Sequence, residues 1–444
     1  MADEDQHGSV ELVRAAWVVP VEGDVVTDGA VAISGADLVA VGPFGEVRAQ
    51  FPDAPVEHLR SHALIPGLVN AHTHLGMTMF RGVADDRTLA EFLDTVIPLE
   101  GRLLGAERVG TATRAALVES HLGGVTTALD MYFFAPAVLE AAEETGGRVF
   151  TGPVILDAAG PDAPPGSWDK RMHWAASFFD EHPAVDGWRP VVGPHTIYTV
   201  EPPHLREAAD LARSVGAVMH IHAGETADEV EMVTGTYGAR PLELLGDLGV
   251  LGGDTVIAHG VHLLDHEIEL LASTGTSVAH CPASNLKLAS GIAPVQRLRN
   301  AGVTVALGTD GAASSNDLDL LGAARLAALL HKAAGPDGPD ATILAAPEVL
   351  DMATRQGAEA LGVADRLGSL TPGRLADVVA LDLDRAATQP VHDVCSAIVY
   401  AAGRDNVTDV WSSGRRVVRG GRHQLVDEAD VVRDLRSLGA VVEG

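Results

Sequence analysis

The chain has 444 residues and a formal charge of −30, from 61 Asp and Glu against 31 Lys and Arg. Its length suits one large domain plus a smaller one, and its charge argues against a surface that tracks nucleic-acid phosphates. Two cysteines, Cys281 and Cys395, are too few for a disulfide framework or a cysteine-based zinc cluster, so a metal would need His, Asp or Glu ligands. No run of eighteen apolar residues occurs, and the start "MADEDQHGSV" is acidic rather than basic-then-apolar. The expectation is therefore a cytoplasmic protein with no membrane segment and no secretory signal.

Residues 10–62 read as short β-rich pieces punctuated by glycine, such as "GAVAISGADLVAVG", with no long helix. From residue 64 the texture changes to apolar, β-branched runs alternating with Ala/Leu/Glu/Arg-rich segments of helical length, such as 106–121 and 203–214. Eight strand candidates follow: "ALIPGLVNAHTH", "VTTALDMYF", "RVFTGPVIL", "WRPVVGPH", "AVMHIHAGE", "TVIAHGVH", "TSVAHCPASN" and "VTVALGTDG". Eight such units point to an α/β fold of the (β/α)8 TIM-barrel type over 64–365. An open doubly wound sheet is the alternative, but it usually offers a glycine-rich phosphate loop after its first strand, where this chain carries histidines. A helical stretch at 346–361 leads to β-rich segments again. The two β-rich ends, 1–63 and 366–444, are expected to pair as a small β-sandwich domain, with a helix at the C-terminus.

In a barrel the reacting groups come from the C-terminal ends of the strands. Those ends carry His72 and His74, His195, His222 with Glu225, His259, His280, and Asp310. His72 and His74 share a strand face because side chains alternate with period two. With His222 and Asp310 they form a three-His, one-carboxylate set suited to zinc or ferrous iron. His220 lies one layer deeper and reads as core. Glu225, three residues after His222, would sit beside the metal without ligating it, like the proton-shuttling glutamate of zinc deaminases. Strand four ends in "GPHTIY", without the bridging lysine that a binuclear site would commonly take there, and no lysine lies between Met1 and Ser167, which favours a single ion.

The stretches "PGLVNAHTHLGMTMFRGVADD", "IHAGET", "IAHGVHL", "AHCPASNLKLASGIAP" and "LGTDGAASSNDLDL" resemble the amidohydrolase superfamily. They are most similar to its branch of S-adenosylhomocysteine/5′-methylthioadenosine deaminases, guanine-type deaminases and s-triazine chlorohydrolases. The resemblance implies metal ligation by His72, His74, His222 and Asp310, most simply of one Zn2+, with Fe2+ the alternative. It also implies proton transfer by Glu225, and orientation and deprotonation of the attacking water by His259 with Asp310. His280 matches a recurring histidine whose role stays open between support of the site and packing.

For the substrate, the resemblance implies that Glu100, in "DTVIPLEGRLL" at the head of a helix, binds ribose hydroxyls. His195 would contact the ring or sugar, and Arg148 would hold a substrate carboxylate; Trp168 and Arg171 are further candidates for the pocket. The expected reaction is hydrolytic deamination of an adenosine-type nucleoside to its inosine product and ammonia. The alternatives are attack on a free purine, pyrimidine or triazine ring, and a catalytically silent scaffold. The branch also implies a small-molecule substrate and a homo-oligomer.

Overall fold

The apolar run at 63–74, read above as one strand, is two strands that meet at Gly67. A Cβ at Gly67 would lie 2.2 Å from Thr126 Oγ1 and 3.0 Å from Asp377 Cβ, so only glycine lets the backbone pass between the two sheets. The structure is a computed structural model that describes residues 10–158, 160–336 and 338–443; the acidic stretch 1–9 lies outside the described residues.

Before Gly67 the chain forms β1 (Glu11–Val18), β2 (Val26–Ser34), β3 (Asp37–Pro43) and β4 (Val56–Pro66). The hairpins β1–β2 and β2–β3 are antiparallel, and β4 lies parallel to β1. After it come β5 (Leu68–Thr73), β6 (Val125–Asp130), β7 (Arg148–Phe150), β8 (Val154–Ile155), β9 (Val191–Pro194), β10 (Val218–Ala223), β11 (Thr255–His259), β12 (Ser277–His280) and β13 (Val305–Leu307). The run "RVFTGPVIL", expected as one strand, is divided: β7 pairs with β6 while β8 pairs with β9.

These strands make two parallel sheets, β5–β6–β7 and β8 through β13 in sequence order. Backbone bonds link the two sheets: Val191 N–H, in β9, donates to Thr151 C=O, just after β7 (3.1 Å), and Asp310 N–H donates to His72 C=O (3.0 Å). Helices such as Ala106–Leu122 and Pro202–Val215 separate successive strands. Strands β5, β6, β10 and β11 are buried throughout, which is why they read as apolar runs rather than alternating ones. Parallel direction puts every C-terminal strand end on one side, and the polar residues of the sequence gather there.

The C-terminal strands β14 (Val378–Asp382), β15 (Val407–Ser412), β16 (Arg415–Arg419) and β17 (Arg422–His423) extend the N-terminal sheet. The order is β17–β16–β15–β14–β4–β1–β2–β3, so both chain ends build one eight-stranded sheet, with β14 antiparallel to β4. The terminal helix Glu428–Glu443 does not cover this sheet; Val431 and Leu435 pack against Ala115 and Val118.

Arg148, expected in the substrate pocket, starts β7 and therefore lies at the opposite end of the sheet. Its guanidinium pairs with Asp377, which precedes β14, at 2.5 and 3.2 Å, and also donates to Thr127 Oγ1. The side chains are 10% and 5% exposed, and Asp377 further accepts from Thr126 Oγ1 and Ser413 N–H. Burial would raise the Asp377 pKa, yet the charge of Arg148 holds it below the ordinary carboxylate value. Arg148→Met should therefore destabilise the fold by about 3–5 kcal/mol, because a buried carboxylate loses its counter-charge. Since the folded-state pKa is depressed, that loss is full at neutral pH and shrinks as the pH falls through the carboxylate range. Urea unfolding at several pH values checks it.

Candidate active site

Three imidazoles and one carboxylate converge at the strand ends. His72 is the penultimate residue of β5 and His74 follows the strand; Nε2 of each lies 3.3 and 3.2 Å from Asp310 Oδ1. His222, from β10, places Nε2 3.3 Å from His74 Nε2. A tetrahedral ion with bonds of ~2.0–2.1 Å spaces its ligands by roughly 3.3–3.4 Å, so these separations match a zinc-sized ion. His72 Nε2 is buried with no hydrogen-bond partner, an unmet need that such an ion would satisfy. His259 also brings a ligand-type atom within 4.8 Å of His72 and His222.

The cluster is set up for positive charge. Burial favours the neutral imidazole at both histidines: His72 is pushed down to about 3, whereas at His74 the Asp310 carboxylate overrides burial and lifts the pKa to about 9. Burial and the neighbouring imidazoles hold His222 well below its ordinary value. The other ring nitrogens are fixed by acceptors. His74 Nδ1 donates to Met131 C=O (2.6 Å) and His222 Nδ1 to His195 C=O (2.9 Å). His72 Nδ1 lies 2.8 Å from His220 Nε2, and His220 Nδ1 donates to Val256 C=O (3.0 Å). That last bond leaves His220 Nε2 as an acceptor, so His72 carries its proton on Nδ1 and all three Nε2 lone pairs face one point. His220 is a core residue, as expected, and it also orients His72.

Asp310 adopts a left-handed backbone (φ 60°), as does His259 (φ 72°), both at strand ends facing the cluster. Ser284 Oγ donates to Asp310 Oδ2 (2.6 Å) and Gly311 N–H donates to Oδ1 (2.8 Å). A Cβ at Gly308 would lie 3.0 Å from both His72 Cβ and His72 O, so the strand carrying Asp310 closes on β5 only because residue 308 is bare.

Glu225 stands next to these groups. Its Oε2 lies 3.8 Å from His259 Nε2, and burial raises its pKa despite the opposing effect of His259. It precedes the helix Ala227–Tyr237, which is capped by Thr226, so it is not a helix-capping glutamate. Glu229 holds the turn in place by accepting from Gly224 N–H (3.0 Å) and Glu225 N–H (2.7 Å). His259 Nδ1 donates to Asn285 Oδ1 (2.8 Å), leaving Nε2 free to accept a proton. Ser284, Asn285 and Glu229 were not singled out by the sequence. The first two lie in the "CPASN" stretch, and Glu229 at i+4 from Glu225 was the available signal.

A cavity of about 840 Å³ opens above the cluster, lined by His74, His195, His222, Glu225, His259 and Asp310. That volume suits a nucleoside-sized ligand. Glu100 also lines it, from the last turn of the helix Leu89–Leu103 rather than its head. Burial raises Glu100 to about 7, against the hydrogen bond donated by Tyr132 Oη at 2.7 Å. Burial lowers His195 to about 4, and its carbonyl anchors His222. Two further candidates do not enter the cavity. Trp168 stacks on His204 (3.8 Å between ring centroids), and Arg171 donates to the carbonyls of Leu156, Asp157 and Gly166. His280 lies 3.1 Å from His331 Nε2 and packs there, outside the cavity.

The geometry is that of a metal-dependent hydrolase built on parallel strand ends. Residues 63–417 match the amidohydrolase family, and the chain belongs to it. It is 37% identical to a 5-methylthioadenosine/S-adenosylhomocysteine deaminase of Thermodesulfovibrio yellowstonii, over 96% of this chain and 97% of that one. A protein of the same name from Haloarcula marismortui is 41% identical over 83% and 84%. Among solved structures, an adenosine deaminase from Xanthomonas campestris with bound zinc superposes with a TM-score of 0.92 at 39% identity, covering 97% and 98%. A zinc-complexed atrazine chlorohydrolase from Arthrobacter aurescens gives 0.87 at 28% identity, covering 96% and 99%.

The carbonyl–His220–His72 chain makes a specific prediction. His220→Phe should remain folded but bind zinc about 10–100-fold more weakly, because His72 loses the acceptor that fixes its tautomer. Competition with a chromogenic chelator measures the shift.

Proposed function

We propose that the chain is a zinc-dependent aminohydrolase that converts an adenosine-type nucleoside, of the 5′-methylthioadenosine and S-adenosylhomocysteine class, to its inosine product and ammonia. The observation that carries this reading is Glu100, a buried carboxylate in the wall of the cavity that holds the His72–His74–His222–Asp310 cluster. One carboxylate can accept hydrogen bonds from two adjacent ribose hydroxyls, whereas a free base or triazine offers it no such pair. The names of the curated relatives support the same substrate class. A silent scaffold has no use for a complete donor set with its supporting bonds.

We further infer the architecture that frames the site: a closed (β/α)8 barrel over 64–365 and a β-sandwich formed by 1–63 with 366–444. The bonds that tie the two parallel sheets at both seams support the first. The pairing of both chain ends in one sheet supports the second.

His72, His74, His222 and Asp310 would hold one divalent ion. When bound, such an ion lowers the pKa of water from 15.7 to about 7 and so makes a nucleophile available at neutral pH. His259 Nε2 and Asp310 accept the proton released as the water oxygen bonds to the ring carbon bearing the amino group. Glu225, whose pKa burial raises, donates a proton to the adjacent ring nitrogen. Its carboxylate then takes the proton from the added hydroxyl and passes it to the amino group. The carbon–nitrogen bond breaks, ammonia leaves, the keto form of the product remains, and the proton held at His259 or Asp310 returns to Glu225, whose Oε2 lies 3.8 Å from His259 Nε2, restoring the starting state. His195, neutral, directs a ring nitrogen at the substrate, and Glu100 holds the ribose.

Glu225→Gln should lower kcat by about 10²–10⁴-fold while zinc content per chain stays unchanged, as measured by turnover and elemental analysis. Glu100→Ala should lower kcat/KM on ribonucleosides by roughly 10–150-fold, the equivalent of 1.5–3 kcal/mol for hydrogen bonds to a charged group, and have much less effect on free bases. Only the ionised carboxylate accepts both hydroxyls. For the wild type, kcat/KM on ribonucleosides should therefore rise with pH through about 7, a limb that Glu100→Ala removes. The test of the function itself is ammonia release by the zinc-loaded protein across adenosine, its 5′-thio derivatives, guanine, cytosine and triazines. Turnover of the nucleosides is expected; turnover confined to the free rings overturns the reading.

A further inference from the structure

The two nucleosides in the relatives' names differ only beyond the 5′ sulfur. One ends in a methyl group, the other in a chain that carries an ammonium and a carboxylate. We propose that this site selects adenosine nucleosides with a small, uncharged 5′ substituent, such as methylthio, and discriminates against those that place a carboxylate there. The proposal rests on the nucleoside reading above.

Among the described residues lining the cavity there is no arginine or lysine, whereas Glu100, Asp157, Glu201, Glu225 and Asp310 all line it. The arginines that the sequence offered as pocket candidates have other partners. Arg148 is held by Asp377, and Arg171 by the carbonyls of Leu156, Asp157 and Gly166. Arg81 pairs with Glu119, and Lys287 with Asp85 and the carbonyl of Ala313. At the rim, Asp157 is occupied by Glu201 N–H and His204 Nδ1, both at 2.6 Å. An amino-acid tail would find Glu201 for its ammonium, but its carboxylate would enter a field of carboxylates with no counter-charge.

The wall beyond Glu100 is apolar. Phe92, Val96 and Glu100 recur every four residues, so they lie along one face of the helix at steps of about 6 Å. Leu89, Leu93 and Ile97 widen that wall, and Tyr237 also lines the cavity. Ile97 and Tyr237 remain 53% and 39% exposed, which leaves apolar surface for a substituent to cover. A methylthio group gains contact there without losing hydration of a charge.

The test compares kcat/KM of the zinc-loaded protein on 5′-methylthioadenosine, S-adenosylhomocysteine and the methyl ester of S-adenosylhomocysteine. The expected results are a preference of at least tenfold for the first over the second, recovery of most of that loss by the ester, and a narrower ratio in high salt. Ile97→Arg, which adds a cation at an exposed wall position, should also narrow the ratio. A preference below tenfold, or an ester no better than the acid, overturns the proposal. Absence of turnover on every adenine nucleoside is a different result, and it overturns the nucleoside reading itself.

Discussion

The site depends on the seam where β13 returns to β5. There the Asp310 backbone donates to the His72 carbonyl while the Asp310 side chain faces His72 and His74. One residue thus joins the two sheets and supplies the carboxylate of the cluster. The arrangement needs the left-handed backbone of Asp310, the bare Gly308 beside His72, and Ser284 to occupy the other carboxylate oxygen. A buried carboxylate is costly without compensation. Here Asp310 draws positive charge toward the cluster, lifting the His74 pKa to about 9, and a divalent ion at this point would answer the same carboxylate with greater charge.

Backbone carbonyls do the second half of the work. Met131 and His195, just beyond β6 and β9, and Val256 within β11, each fix a histidine of a neighbouring strand. Parallel strands make this possible, because each strand end lies beside the carbonyls of the next. The side chains of the cluster are thereby oriented by the strands themselves, and one part of the cavity wall above them is the amphipathic helix Leu89–Leu103. Division of labour follows from position: strand ends hold the histidine and carboxylate cluster, and the helix Leu89–Leu103 carries Glu100 into the cavity wall.

The polar strand ends were legible from the sequence because period-two alternation puts His72 with His74, and His220 with His222, on shared faces. The pattern "HTH" alone says little; its spacing became informative when other strand ends supplied His222, His259 and Asp310. The breaks at Gly67 and after Phe150 were not legible, since apolar runs continue across both. Arg148 stands at the start of a strand, which parallel direction puts far from the reacting end, and its likeness to a carboxylate-holding arginine carries no information about which end of the strand it occupies. Glu100 lines the cavity, but from the last turn of its helix rather than its head. The supporting residues Glu229, Ser284 and Asn285 were missed because their function is a hydrogen bond to another residue's backbone or side chain, which spacing alone does not reveal.

The most direct measurement is an anomalous difference map from crystals of the zinc-loaded protein, collected at the zinc absorption edge. The account predicts one peak per chain, enclosed by Nε2 of His72, His74 and His222 and an oxygen of Asp310. A second peak beside it, or a sole peak away from these four residues, would contradict it.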